Sequence, residues 1–124
     1  MPALSFEEMT AEWQRSANSL EVPDGTLLTP PSREAFGEGA QYFERGYGQS
    51  IAEAEWFCLW QQEWLTLHDR ETTEADLAMS QMQSFLATDT FGHTFRADPL
   101  ISNAVEAAAD GDSALIRRYF DLNC

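Results

Sequence analysis

The stretch Ile51–Leu67, IAEAEWFCLWQQEWLTL, decides the fold. It is apolar on nearly every side of a helical projection, the mark of a helix surrounded by other helices. Trp56, Trp60 and Trp64 recur four apart on one stripe, with Phe57 beside them and Leu67 continuing it. Helical spacing of this kind usually belongs to a core seam, because residues three and four apart share a face. Ser50 and Glu53 stand at capping-box spacing and set the expected start. A central, aromatic-rich helix over about 50–68 follows.

The flanking segments read as helices that cover it. Ser5 and Glu8 form a capping box, with Leu4 and Met9 at the staple positions. Phe6, Met9, Trp13, Ala17 and Leu20 then make one apolar face before Val22-Pro23-Asp24-Gly25 ends the helix. Leu27 and Leu28 precede Pro30-Pro31, so this connection is expected to lie against the core as it crosses. A weaker second helix is expected from Pro30 or Pro31 to about Arg45, on the stripe Phe36, Ala40, Phe43, Tyr47. Gly37 and Gly39 count against it, at ~1 kcal/mol each relative to Ala.

Beyond the central helix, Thr73 with Glu74 and Asp76 opens another, with acids where the helix dipole favours them. Ala75, Ala78, Met79, Met82, Phe85 and Leu86 form its buried side. Residues 88–97, TDTFGHTFRA, read as a loop that tucks Phe91 and Phe95 inward. Asp98 as N-cap and Pro99 at the first helical position start the next helix, and a short last helix carries Leu115, Ile116, Tyr119, Phe120 and Leu122. Five or six helices with short links predict a single all-α domain over 1–124, a compact bundle around the tryptophan helix.

The charge bounds the function. The 21 acidic side chains face seven basic ones, for a net charge of −14, and every basic residue is arginine. Phosphate backbones and anionic membranes would be repelled, so neither direct nucleic-acid binding nor membrane binding is expected. A basic protein would be attracted and its encounter accelerated. The lack of lysine excludes a Schiff-base lysine and a P-loop lysine. Cys58 and Cys124 make no disulfide framework, and Cys58 reads as a buried small hydrophobe. MPALSFEEMT has no basic n-region, and no run of ~18 apolar residues occurs, so a reducing cytoplasm is the expected setting.

Chemistry finds little purchase. A di-iron bundle needs Glu-x-x-His twice, but Leu65 and Thr90 precede His68 and His93 by three. Glu53 and His68 would lie roughly 22 Å apart along one helix. Asp110-Gly111-Asp112 resembles the start of a calcium loop, yet Ala114 and Leu115 fill its next ligand and its required glycine. There is no Gly-x-Ser-x-Gly elbow, and Gly37-Glu38-Gly39 and Gly46-Tyr47-Gly48 lack the third glycine of a dinucleotide fingerprint. No cofactor, no metal and no catalytic residue are expected, and the chain is not read as an enzyme.

Two acidic clusters remain. The denser is Asp69, Glu71, Glu74 and Asp76, interrupted by Arg70 and next to His68; the other is Glu7, Glu8 and Glu12 on the first helix. Both are the expected contact residues for a basic protein partner such as a toxin or a nucleic-acid enzyme. The function expected is that of a non-catalytic inhibitor or immunity-type protein. In size and charge the chain is similar to small helical immunity proteins and to phage-encoded inhibitors that mimic nucleic acid, though no motif ties it to either. Two alternatives follow from the aromatics: an adaptor or homodimer with an exposed aromatic patch, and a small-molecule binder on the Trp56/Trp60/Trp64 face with Glu53 as counter-charge.

Overall fold

A computed structural model of the chain describes residues 3–37 and 42–124. Five α-helices carry the fold: α1 (Phe6–Ser19), α2 (Tyr47–Leu67), α3 (Thr73–Phe85), α4 (Pro99–Ala109) and α5 (Ala114–Asn123). Short 3-10 turns lie at Arg33–Phe36 and His68–Arg70, and a π-helical turn at Thr90–Thr94. The expected all-α bundle is what forms. Helix α2 is its axis, touching α1, α3, α5 and the π-helical turn, while α4 packs on α5 and α3.

The tryptophan stripe is core. Trp56, Trp60 and Trp64 are all at most 5% exposed. Phe57 stacks on Phe85 of α3 with ring centroids 4.1 Å apart and planes within 7°. Ala75 and Ala78 on α3, with Ala104, Val105 and Ala108 on α4, are buried too. Small residues on the outer helices make room for the large rings of the inner one, as close packing requires. Phe91 is buried and Phe95 partly so, as the sequence predicts. The segment that carries Phe91 is wound as a π-helical turn, which puts its ring against Phe85 at 5.8 Å.

The connection after α1 crosses α2 and ties it down. The Glu21 carbonyl accepts a hydrogen bond from the Trp56 indole at 2.7 Å and from the Trp60 indole at 2.8 Å. Both polar edges of two buried rings are satisfied at one atom, which avoids the ~1–3 kcal/mol cost of burying each unpaired. Leu20, Val22 and Leu28 pack on the core beside it, while Leu27 stands 84% exposed.

Three expectations are corrected. The weak helix over 30–45 is one 3-10 turn, closed at Gly37 with φ 74°. Ala40 and Gly39 lie outside the described residues. Phe43 is held in an antiparallel bridge with Leu4, each N–H donating to the other's carbonyl at 2.7 Å. A backbone paired across the chain cannot also close helical turns.

The start of α2 lies at Tyr47, ahead of the Ser50/Glu53 box. Its N-cap is Gly46 at φ 95°, which has no side chain to offer. The carboxylate of Glu12 on α1 serves instead, accepting from the Gly46, Gly48 and Gln49 N–H groups at 2.9, 2.7 and 3.3 Å. Ser50 is thereby freed to bond Thr94, and Glu53 to bond Thr90. Gly48 is required by the close approach of α1: a Cβ there would lie 2.3 Å from the Met9 carbonyl oxygen and 2.8 Å from the Trp13 nitrogen.

The third correction is covalent. Cys58 and Cys124 form a disulfide, with Cα atoms 5.7 Å apart at a sequence separation of 66. The end of α5 returns to the middle of α2, a closure no spacing rule shows. The bond also removes the cysteine argument for a reducing compartment. Among the described residues no helix is long and apolar enough to cross a membrane.

Candidate functional site

The denser acidic cluster occupies the corner between α2 and α3. Its chain path is set by the 3-10 turn His68–Arg70, then Glu71 at φ 48°, then Thr72, whose hydroxyl accepts from the Ala75 N–H at 3.2 Å and starts α3. That sharp turn gathers Asp69, Glu71, Glu74 and Asp76, and all four are exposed. Among the described residues none of them enters a salt bridge; the ion pair found is between Arg33 and Glu7. Glu74 and Asp76 stand in the first turn of α3, where negative charge complements the helix dipole.

Beside this corner lies a shallow depression of about 310 Å³. Trp64 and His68 form one wall, their rings stacked at 4.6 Å and 22°. Ala75, Met79 and Ala108 contribute apolar lining, and Glu71 and Asp76 stand on it. A long cationic side chain fits this chemistry: its methylene stem covers apolar surface while its head meets carboxylate, a division that Arg and Lys make routinely. Sequence reasoning named the four carboxylates but missed the apolar lining. The signal was present in Trp64 and His68, four apart on one helix face.

The second cluster is built differently. The Glu7 carboxylate pairs with Arg33, whose guanidinium also lies 4.6 Å from the Phe6 ring centroid. Glu8 completes the capping box, accepting from the Ser5 N–H at 2.9 Å while the Ser5 hydroxyl accepts from the Glu8 N–H at 3.1 Å. The Ser5 N–H first, and the nearby Ser5 hydroxyl after it, hold the Glu8 carboxyl below its usual value by stabilising its charged form. Glu12 is half-buried and committed to the start of α2. The three acids expected to form a second docking patch are each engaged within the chain.

Of the tryptophan face, Trp56 and Trp60 point into packed core, and Glu53 is turned to Thr90 and Gln49. Trp64 lines the depression beside the acidic corner. Among the described residues no group of three or more His, Cys, Asp or Glu side chains is placed to hold a metal ion. No protein-family model matches the chain, and the search of curated proteins and that of solved structures found no match.

Proposed function

We propose that this is a non-catalytic acidic binding protein, of inhibitor or immunity type, that neutralises a basic protein partner such as a toxin or a nucleic-acid enzyme. One observation carries the reading: four exposed carboxylates without ion pairs among the described residues gather at the α2–α3 corner, and two of them, Glu71 and Asp76, line a small depression together with Trp64 and Met79. Acids used only for solubility need no such neighbour. The net charge of −14 supports steering of a cationic partner, which raises on-rate and specificity more than raw affinity. The corner then supplies register, with an Arg or Lys of the partner seated between Trp64 and the Glu71/Asp76 pair.

The test is the salt dependence of binding to a basic partner recovered from the native cells. Association rate and affinity should both fall steeply as salt rises. An affinity that survives high salt undiminished would remove the electrostatic basis of the proposal. A cytoplasmic setting belongs to the same proposal on the sequence reading alone. The disulfide argues against it, since such bonds are rare in reducing compartments. Alkylation of free thiols in intact cells decides between the two: labelled Cys58 and Cys124 place the working form in a reducing compartment, protected ones exclude it.

A further inference from the structure

A second concavity, remote in character from the acidic corner, lies between the start of α2 and the π-helical turn. It encloses about 720 Å³, within the range of sites for small molecules. Its walls are polar. Arg45, His93 and Arg96 all line it, which places two of the chain's seven arginines and one of its two histidines in a single groove. Glu44 and Asp89 also stand on it, so the two arginines balance the two acids. In a chain of net charge −14, a groove lined by as many guanidinium groups as carboxylates is less acidic than the chain as a whole.

The walls are held in place. The Ser50 and Thr94 hydroxyls are hydrogen-bonded at 2.8 Å, and the Thr90 hydroxyl donates to the Glu53 carboxylate, so the turn is pinned to α2 at two points. Phe91 anchors it from beneath. The winding itself is unusual. A π-helical turn is rare and recurs at functional sites. It is followed by two successive non-glycine residues at positive φ, Arg96 at 55° and Ala97 at 49°. Such strain persists only where the surroundings enforce it, and it clusters at ligand sites. Here it directs the chain so that Arg96 lies on the groove.

We propose that this groove binds a phosphate monoester. Two guanidinium groups match the geometry and charge of a phosphoryl dianion, each able to present two parallel N–H donors, and the His93 imidazole adds a third donor group. Gln49 and Ser50 on the α2 side offer hydrogen bonds to the hydroxyls of the esterified alcohol. The helix dipole plays no part, because Glu12 already occupies the first N–H groups of α2. The site is independent of the acidic corner and of the function proposed for it.

The experiment is titration of the full, disulfide-bonded chain with ribose 5-phosphate and with inorganic phosphate, read by calorimetry and by backbone amide shifts. The proposal predicts saturable binding of the ester, tighter than that of inorganic phosphate, with the largest shifts at His93, Thr94 and Arg96. Arg45→Gln combined with Arg96→Asn should weaken it at least about tenfold, since two charge-assisted contacts are lost. Asn is chosen because it tolerates the positive φ. His93→Gln, on an exposed side chain, gives a second variant should the first be poorly folded. Arg117→Gln with Arg118→Gln, on α5 away from the groove, should bind as the parent does. Shifts spread over all arginines, equal loss in the α5 control, unchanged affinity in both groove variants, or no saturable binding of the ester would each overturn the assignment.

Discussion

Two acidic clusters on one small protein have opposite fates. Glu7, Glu8 and Glu12 lie on α1, where each finds a partner inside the chain: a guanidinium, a capping box, and the open end of α2. Asp69, Glu71, Glu74 and Asp76 lie exposed where two helices meet, and Glu71 and Asp76 line a shallow hollow there. Equal density of charge in a sequence therefore says little about availability. A carboxylate that terminates a helix or caps a turn is structural, and removing it costs stability. A carboxylate without such a task leaves stability nearly untouched when removed, and its loss is felt in binding.

The contrast can be broken or sharpened by substitution. The background is set by the disulfide, which closes a 66-residue separation between α2 and the end of α5. Its loss in Cys58→Ser with Cys124→Ser should cost about 4 kcal/mol by the chain-entropy model, seen as a lowered urea midpoint. Next comes the α1–α2 junction. Glu12→Ala strips three backbone donors of an ionised acceptor and should cost about 3 kcal/mol. Gly48→Ala forces α1 and α2 apart and should cost a similar ~3 kcal/mol. Any single corner substitution, Glu71→Gln or Asp76→Asn, should stay within about 0.5 kcal/mol of the parent. A corner variant as damaging as Glu12→Ala would erase the distinction between the clusters.

The smallest effect is in pH. The folded-state pKa of Glu8 is lowered, so the unfolded chain takes up this proton first as pH falls. The stability it contributes is present above the ordinary glutamate value and is lost as pH falls through the lowered one. In Glu8→Gln that part of the acid-side slope should vanish in pH-dependent denaturation. At the alkaline end, burial of Tyr119 raises its pKa, with Asp98 adding to the effect. Its contribution is intact below pH ~10 and is lost as pH rises through the raised value, because the unfolded chain releases this proton first.

How much of this was legible in the sequence follows from the range of the interactions. The Ser5/Glu8 box and the Asp98–Pro99 start of α4 are contacts within three residues, and both stand as read. The tryptophan seam was legible because helical period and burial are local pattern. The start of α2 was not, because its cap comes from Glu12, 34 or more residues away. A local Ser50/Glu53 box offered itself, and tertiary structure used both residues to hold the π-helical turn. The helix expected over 30–45 gave way to Gly37 and to the Leu4–Phe43 bridge. At the site, exposure of the four corner acids is as expected from their helix-junction position. The hollow beside them needed α4 in place, since Ala108 is part of it.

The most direct measurement compares three baits in the native cells at low salt: the parent, Asp69→Asn/Glu71→Gln/Glu74→Gln/Asp76→Asn, and Glu7→Gln/Glu8→Gln. Stepwise salt release and mass spectrometry identify what each retains. The account predicts one basic protein recovered near stoichiometry by the parent and by the α1 variant, released as salt rises, and lost from the corner variant. The same partner held equally by the corner variant, or no basic partner on the parent at all, would contradict it.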